Sequence, residues 1–210
     1  MTALEQFIVH NVEGYLFGDL RRLQTIEVGY PLLMTTFAGV ELLGALTSAS
    51  SFGVNKGFAY FLSYWENYLY PQGKNSRQIG EVLYQLVRHG IAHGFVLKGP
   101  IGVLRSDSAS HLTIDPSGLI LVDAVQLSND FMKSFSDNVK PLLSTTSGAV
   151  NALSLGSRLS EMTALYEMQA KKWPTAPVFP IGTVAASTAI SQSVAPTPDT
   201  PDGTPSGSVA

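Results

Sequence analysis

The sequence contains no cysteine, and its charge is small and balanced. Without thiols the chain can form neither disulfides nor thiolate zinc sites, which fits a reducing cytoplasm, and we expect the protein to be cytoplasmic. Its formal net charge is only -3, so no global basic field draws it to nucleic acid or to an anionic membrane. An RNA ligand would therefore have to be specific or protein-bound rather than generic.

Long hydrophobic runs are also missing. The N-terminal segment MTALEQFIVHNVEG has no basic region followed by an apolar run, so we expect no secretory signal. The most apolar window, Pro31–Leu46, is shorter than the ~20 residues that cross a bilayer, and it carries Glu41 near its middle. A buried core helix is the favoured interpretation, and a membrane-spanning helix is the alternative. We expect no membrane association.

The chain has instead the patterns of a mainly helical domain. Apolar residues recur at spacings of three and four in several segments, which is typical of amphipathic helices. The predicted helices are Tyr15–Val28, Pro31–Thr47, Phe58–Tyr70, Arg77–His93, Asp123–Leu143 and Ser147–Lys172.

Between residues 95 and 122 the pattern changes to short β-like runs with turn signals between them. The runs are Phe95–Leu97, Ile101–Leu104, His111–Ile114 and Leu119–Val122. The sequence DPSG at 115–118 is a strong turn signal. It predicts a small antiparallel hairpin, or a three-stranded meander, inserted after the helix that ends near His93.

From residue 174 onward the chain is mostly Pro, Ser, Thr, Ala and Gly. Such a composition cannot bury enough apolar surface to offset chain entropy. We therefore predict a helical domain over residues 1–173 and a disordered tail over 174–210.

Seven aromatic residues are concentrated in FAYFLSYWENYLY, residues 58–70. At helical spacing such a stripe forms either a thick core contact or a protein interface, and core is the commoner outcome.

The chemistry-bearing stretch is YQLVRHGIAHG, residues 84–94, which places Arg88, His89 and His93 late in a predicted helix. An Arg followed by a His after four to six intervening residues occurs by chance in roughly one sequence in three of this composition. Arg105 and His111 also match it, in a predicted loop. Requiring Asn, Asp or His directly after the Arg leaves only Arg88.

This stretch resembles the Arg-polar-x3-His signature of the HEPN superfamily, and the preceding FLSYWENYLYP is similar to a segment of uncharacterised bacterial HEPN-like proteins. The resemblance covers about a fifth of the chain closely. It implies an all-α HEPN-like bundle and a homodimer. It also implies metal-independent endoribonuclease activity at the dimer interface, in a toxin or defence context.

Under that resemblance, His93 is the general acid/base at a ribose 2′-hydroxyl, Arg88 stabilises the phosphorane and His89 holds the supporting polar position. The residue types suit this chemistry, because imidazole titrates near neutrality and guanidinium binds phosphate. On one ideal helix, however, Arg88 and His93 point about 140° apart. Either the glycines distort the helix, or a second copy completes the site.

Several alternatives stay open. Arg88 can bridge to Glu41, Glu66 or Glu81, and His93 can be a buried histidine bonded to a backbone carbonyl. His89 and His93 also have the spacing of two metal ligands on a helix face, but no carboxylate stands in the usual order, and we predict neither metal nor cofactor. The alternative function is a non-catalytic HEPN-like interaction or nucleotide-binding module.

Overall fold

A computed structural model of the protein describes residues 1–48, 52–73, 76–88, 90, 99–143 and 148–172. Contacts between Cα atoms group Met1–Ala170 into one compact unit and Lys171–Ala210 into a second. The tail predicted from residue 174 lies outside the described residues, and so does the predicted run Phe95–Leu97. The proposed domain boundary therefore stays a prediction.

The described chain is mainly helical with one small mixed sheet, which confirms the coarse fold prediction. A specifically HEPN-like topology stays a prediction. Several helices continue into π-helical turns. The α-helices are α1 (Ala3–Gln6), α2 (Phe17–Thr25), α3 (Gly29–Thr47), α4 (Gly57–Tyr64), α5 (Ser76–Leu83), α6 (Ala124–Ser134) and α7 (Gly148–Ala170). The π-helical segments are Phe7–Leu16, Trp65–Leu69, Tyr84–Arg88 and Phe135–Val139, and short 3-10 turns lie at Val54–Lys56, Ser108–Ser110 and Lys140–Leu143.

The first helical stretch begins at Ala3, twelve residues before the predicted start at Tyr15. A capping box explains the early start. Thr2 Oγ1 accepts a hydrogen bond from the Glu5 N–H at 3.2 Å, and Glu5 Oε2 accepts one from the Thr2 N–H at 2.6 Å. Leu4, Ile8 and Val12 then bury one face of the stretch in the core.

The central element is α3, whose apolar residues are buried on nearly all sides, as predicted. In the described part of the chain it is the one helix long and apolar enough to cross a membrane, and 56% of its apolar window is buried inside the fold. In this structure it serves as a core helix. Gly44 allows α4 to pack directly on it, because a Cβ there would lie 2.0 Å from the Tyr60 carbonyl oxygen.

The aromatic stripe of residues 58–70 belongs to the core, which confirms the commoner interpretation. Tyr60, Phe61, Tyr64 and Trp65 are each no more than 3% exposed. Phe61 contacts Phe37 edge to face, at 5.1 Å between ring centroids, and also stacks on Trp65. These rings lock α3 and α4 together.

The strands are β1 (Ile101–Leu104), β2 (Thr113–Ile114) and β3 (Ile120–Asp123), in the spatial order β1-β3-β2. β2 and β3 form the predicted antiparallel hairpin, closed by the turn at 115–118, where the Gly118 N–H donates to the Asp115 carbonyl. The predicted meander is wrong. β1 pairs with the far edge of β3, and the two run parallel. Residues 105–119 connect β1 to β3, which meets the dozen or so residues that a crossover between parallel strands needs.

A buried polar network fastens this sheet to the helices. The Asp123 N–H donates to His111 Nδ1 at 3.1 Å, so the proton of the neutral ring lies on Nε2, which is 2.9 Å from the Tyr70 hydroxyl. Tyr70 in turn donates to Asp130 Oδ2 on α6 at 2.8 Å. Burial lowers the pKa of His111, with the charges of Asp130 and Asp123 opposing it, and burial together with Asp130 raises the pKa of Tyr70.

Candidate functional site

Arg88 lies at the end of the π-helical segment Tyr84–Arg88 and faces α3. Its side chain is 28% exposed, so the guanidinium is neither enclosed in the core nor free in solvent. Arg88 Nε is 3.6 Å from Glu41 Oε2, which makes an ion pair but exceeds hydrogen-bond length. Among the described residues, nothing accepts a hydrogen bond from this buried Nε. Arg88 is therefore paired in charge, while its Nε finds no acceptor in the part of the chain that the structure describes.

The sequence offered Glu41, Glu66 and Glu81 as candidate ion-pair partners of Arg88, and in the structure Arg88 pairs with Glu41. Glu66 and Glu81 instead bind Arg77, with N–O distances of 3.2 and 3.0 Å. Arg77 lies at the start of α5 and is 61% exposed, so these are surface pairs. The Arg88–Glu41 pair is half-buried and joins the motif helix to the middle of α3.

Tyr84 and Gly57 complete a tight polar corner around Glu41. The Tyr84 hydroxyl donates to Glu41 Oε2 at 3.4 Å, and Tyr84 and Arg88 are four residues apart on the same helix. Burial raises the pKa of Tyr84 to about 12, with the charge of Glu41 adding to the rise and that of Arg88 opposing it. A Cβ on Gly57 would lie 2.2 Å from Glu41 Oε1, so only glycine leaves room for the carboxylate as it stands.

These groups form one side of a cleft of about 360 Å³. Glu41 and Arg88 supply the charge on its wall, and α3 supplies aliphatic surface. The opposite side comes from Phe52 and Gly53, which precede α4, and from Met162 and Tyr166 on α7. The volume is at the low end of the range of roughly 300–1,000 Å³ for small-molecule sites. The cleft therefore suits a ligand with one charged group and one apolar body.

Side chains of α7 hold the rim of this cleft in place. Arg158 Nη1 is 2.5 Å from Glu161 Oε2, and Arg158 Nη2 donates to the Ser48 carbonyl at 3.2 Å. Glu161 Oε2 also accepts the Phe52 N–H at 3.2 Å. The Arg158 side chain is only 10% exposed, whereas that of Glu161 is 46% exposed, so the ion pair reaches from the interior of the fold to its surface. Glu161 and Arg158 thus hold the rim segment that contains Phe52 against α7.

The other two predicted site residues, His89 and His93, lie outside the residues whose side chains the structure describes. Their convergence with Arg88, the burial of His93 and the use of the two histidines as a metal pair all stay predictions. Across the described ranges, no group of three or more His, Asp or Glu side chains is placed to hold a metal ion.

The second Arg–His match, Arg105 and His111, does not form a site. Arg105 Nη2 donates to the Gln24 carbonyl at 2.8 Å, near the end of α2. His111 belongs to the buried network with Tyr70 and Asp123. Both residues have structural roles in attaching the sheet.

Sequence reasoning missed most of the cleft. The sequence did indicate Glu41, because a single carboxylate in the middle of an apolar helix needs a partner if it is not exposed. Phe52 and Tyr166 were not indicated, since they are isolated aromatic residues far apart in the chain, and only the tertiary fold brings their rings to 5.9 Å from each other.

Comparisons with protein-family models, with curated proteins and with solved structures found no match in any of the three.

Proposed function

We propose that the protein is a metal-independent endoribonuclease of HEPN type, in which Arg88 binds the phosphate of the RNA. The observation that supports this is the position of Arg88 on the wall of a cleft, with its Nε lacking a hydrogen-bond acceptor among the described residues. Nε itself is buried, so a phosphate oxygen would bind the part of the guanidinium that is exposed to the cleft. Guanidinium–phosphate contacts are charge-assisted and are among the stronger hydrogen bonds in proteins.

In the proposed reaction the ribose 2′-oxygen attacks the adjacent phosphorus and loses its proton, while the 5′-oxygen of the next nucleotide leaves and takes up a proton. The products are a 2′,3′-cyclic phosphate and a 5′-hydroxyl. Arg88 stabilises the charge that builds on the phosphorane oxygens. His93 acts as the general acid/base, and His89 supports it.

The proposal includes a homodimer, because Arg88 and His93 diverge on a single ideal helix. A second chain would bring another copy of the motif helix to the same substrate. The balanced charge of the chain fits a specific or protein-bound RNA.

A second candidate function is supported by the Glu41 ion pair. A carboxylate 3.6 Å from Arg88 neutralises part of its charge and braces the motif helix against α3. Those are properties of a non-catalytic module that binds a nucleotide or a protein partner without cleaving RNA.

RNA cleavage in the presence of EDTA separates the two candidates. The full-length protein is compared with Arg88→Ala, with His93→Ala and with the control Arg77→Ala, which removes an arginine from an adjacent surface position. The nuclease proposal expects cleavage in wild type and in the control, and a loss of roughly 100-fold or more in the other two variants. Cleavage that survives both changes would exclude this site as its source. If folded wild type cleaves no RNA, the non-catalytic module becomes the better assignment.

A further inference from the structure

The end of the cleft opposite α3 is an open aromatic surface. The Phe52 ring is nearly parallel to that of Tyr60, at 5.9 Å between centroids and an interplanar angle of 4°. The Tyr166 ring meets Phe52 at 5.9 Å and 64°. Tyr60 is buried, whereas Tyr166 is 53% exposed. An aromatic ring held at the mouth of a cleft and left open to solvent offers a π-face to a planar ligand.

This surface is held in place before any ligand arrives. The Gly53 N–H donates to the Tyr60 hydroxyl at 2.8 Å, and the Phe52 N–H is held by Glu161. Arg158 anchors Glu161 and the Ser48 carbonyl from within the fold. A ligand that stacks here loses little free energy to the ordering of the protein.

The polar and aromatic ends together define a chemical class of ligand. We propose that the cleft binds a single ribonucleotide: its base stacks on the exposed Tyr166 ring and packs against Phe52 at an angle, its ribose hydroxyls donate to Glu41, and its phosphate binds Arg88. The assignment of the phosphate to Arg88 rests on the proposed function.

This arrangement has consequences for specificity. Stacking on aromatic rings tolerates any base, so all four bases should bind. The carboxylate of Glu41 accepts hydrogen bonds and cannot donate them, so it selects for the 2′-hydroxyl that separates RNA from DNA.

Calorimetric titration of the full-length protein tests the proposal. The ligands are adenosine 3′-monophosphate, its 2′-deoxy analogue and inorganic phosphate. The variants are Phe52→Leu, Tyr166→Leu and Glu41→Gln. The control is Tyr15→Leu, which removes a tyrosine that is 71% exposed elsewhere on the surface. Circular dichroism checks that each variant is folded.

We expect adenosine 3′-monophosphate to bind wild type and the control equally, and to bind each aromatic variant roughly tenfold more weakly. Inorganic phosphate should bind wild type and the aromatic variants alike. Glu41→Gln should reduce the preference for ribose over deoxyribose, a readout that a purely structural role would leave unchanged.

Equal binding of the nucleotide to wild type and to both aromatic variants would overturn the base site. So would a wild-type protein that binds no nucleotide, or one that does not distinguish ribose from deoxyribose. The cleavage assay decides the proposed function separately. If Arg88→Ala abolishes cleavage while Phe52→Leu and Tyr166→Leu leave both cleavage and nucleotide binding intact, the nuclease stands and only the base site fails.

Discussion

Removing the Tyr70 hydroxyl should cost the fold much more than a single deleted oxygen suggests. The hydroxyl accepts from His111 and donates to Asp130, and the His111 side chain is only 7% exposed, against 26% for that of Asp130. In Tyr70→Phe, water can solvate Asp130 again, but the buried Nε2–H of His111 loses its acceptor. An orphaned buried donor costs about 1–3 kcal/mol and a lost bond to a charged group about 1.5–3 kcal/mol. We expect the free energy of unfolding to fall by about 2–4 kcal/mol.

The same network makes stability depend on pH. The pKa of His111 is lowered in the folded state, so the unfolded chain binds more protons than the folded one between the folded pKa and the ordinary value near 6.5. This contribution to stability is complete above about pH 6.5 and is lost as pH falls toward the folded pKa. A proton on Nδ1 would also face the Asp123 N–H. His111→Asn removes the titrating ring, so we expect a flatter stability profile between about pH 7.5 and 5.5.

Urea unfolding followed by circular dichroism measures both effects. The matched control is Tyr68→Phe, because Tyr68 lies two residues before Tyr70, on the π-helical segment Trp65–Leu69, and its hydroxyl makes no hydrogen bond within the described part of the chain. If Tyr70→Phe and Tyr68→Phe agree within about 0.5 kcal/mol, the network does not contribute as the geometry requires. A profile for His111→Asn that still falls like that of wild type between pH 6.5 and 5.5 would remove His111 as the titrating group.

Three further substitutions test packing and surface charge by the same unfolding measurement. Gly44→Ala places a Cβ 2.0 Å from the backbone of Tyr60, which can move only if α3 and α4 separate. We expect the free energy of unfolding to fall by about 3 kcal/mol or more, and an unchanged value would contradict the close approach of the two helices. Arg158→Met removes the contacts of Arg158 with Glu161 and the Ser48 carbonyl. We expect the free energy of unfolding to fall by about 2 kcal/mol and proteolysis near Phe52 to become faster. Unchanged proteolysis would show that these contacts do not hold the cleft rim. Arg22→Ala breaks an exposed pair with Asp19, and we expect a change below about 0.5 kcal/mol, so a larger one would show a contact that the structure does not explain.

The helices could be predicted because their signal is local. Apolar spacing located α3, α7 and the starts of α4 and α6 to within a few residues, and the turn DPSG located the β2–β3 hairpin. The early helix start was not predicted, because its local signal is limited to the capping box of Thr2 and Glu5.

The candidate site was harder to predict from the sequence, because its residues are distant from one another in the chain. Arg88 was predicted from its motif, and Glu41 was one of three candidate partners. Helix periodicity alone cannot choose among them, because the choice depends on how α3 packs against the motif helix. The parallel pairing of β1 with β3 was missed for a similar reason, as a single sequence carries little information on which edge of a strand is free.

The parallel pairing also constrains the order in which the protein can form during synthesis. β1 leaves the ribosome before β3, and no residue between them can complete its ladder. Until Asp123 has emerged, β1 exposes an open edge on which other chains can add, which is the hazard of an unpaired strand. Asp123 ends β3 and also caps α6, where it accepts the Gln126 N–H at 2.8 Å. Closure of the sheet and initiation of α6 thus depend on the same residue, and a pause in translation before it would prolong the exposure of β1.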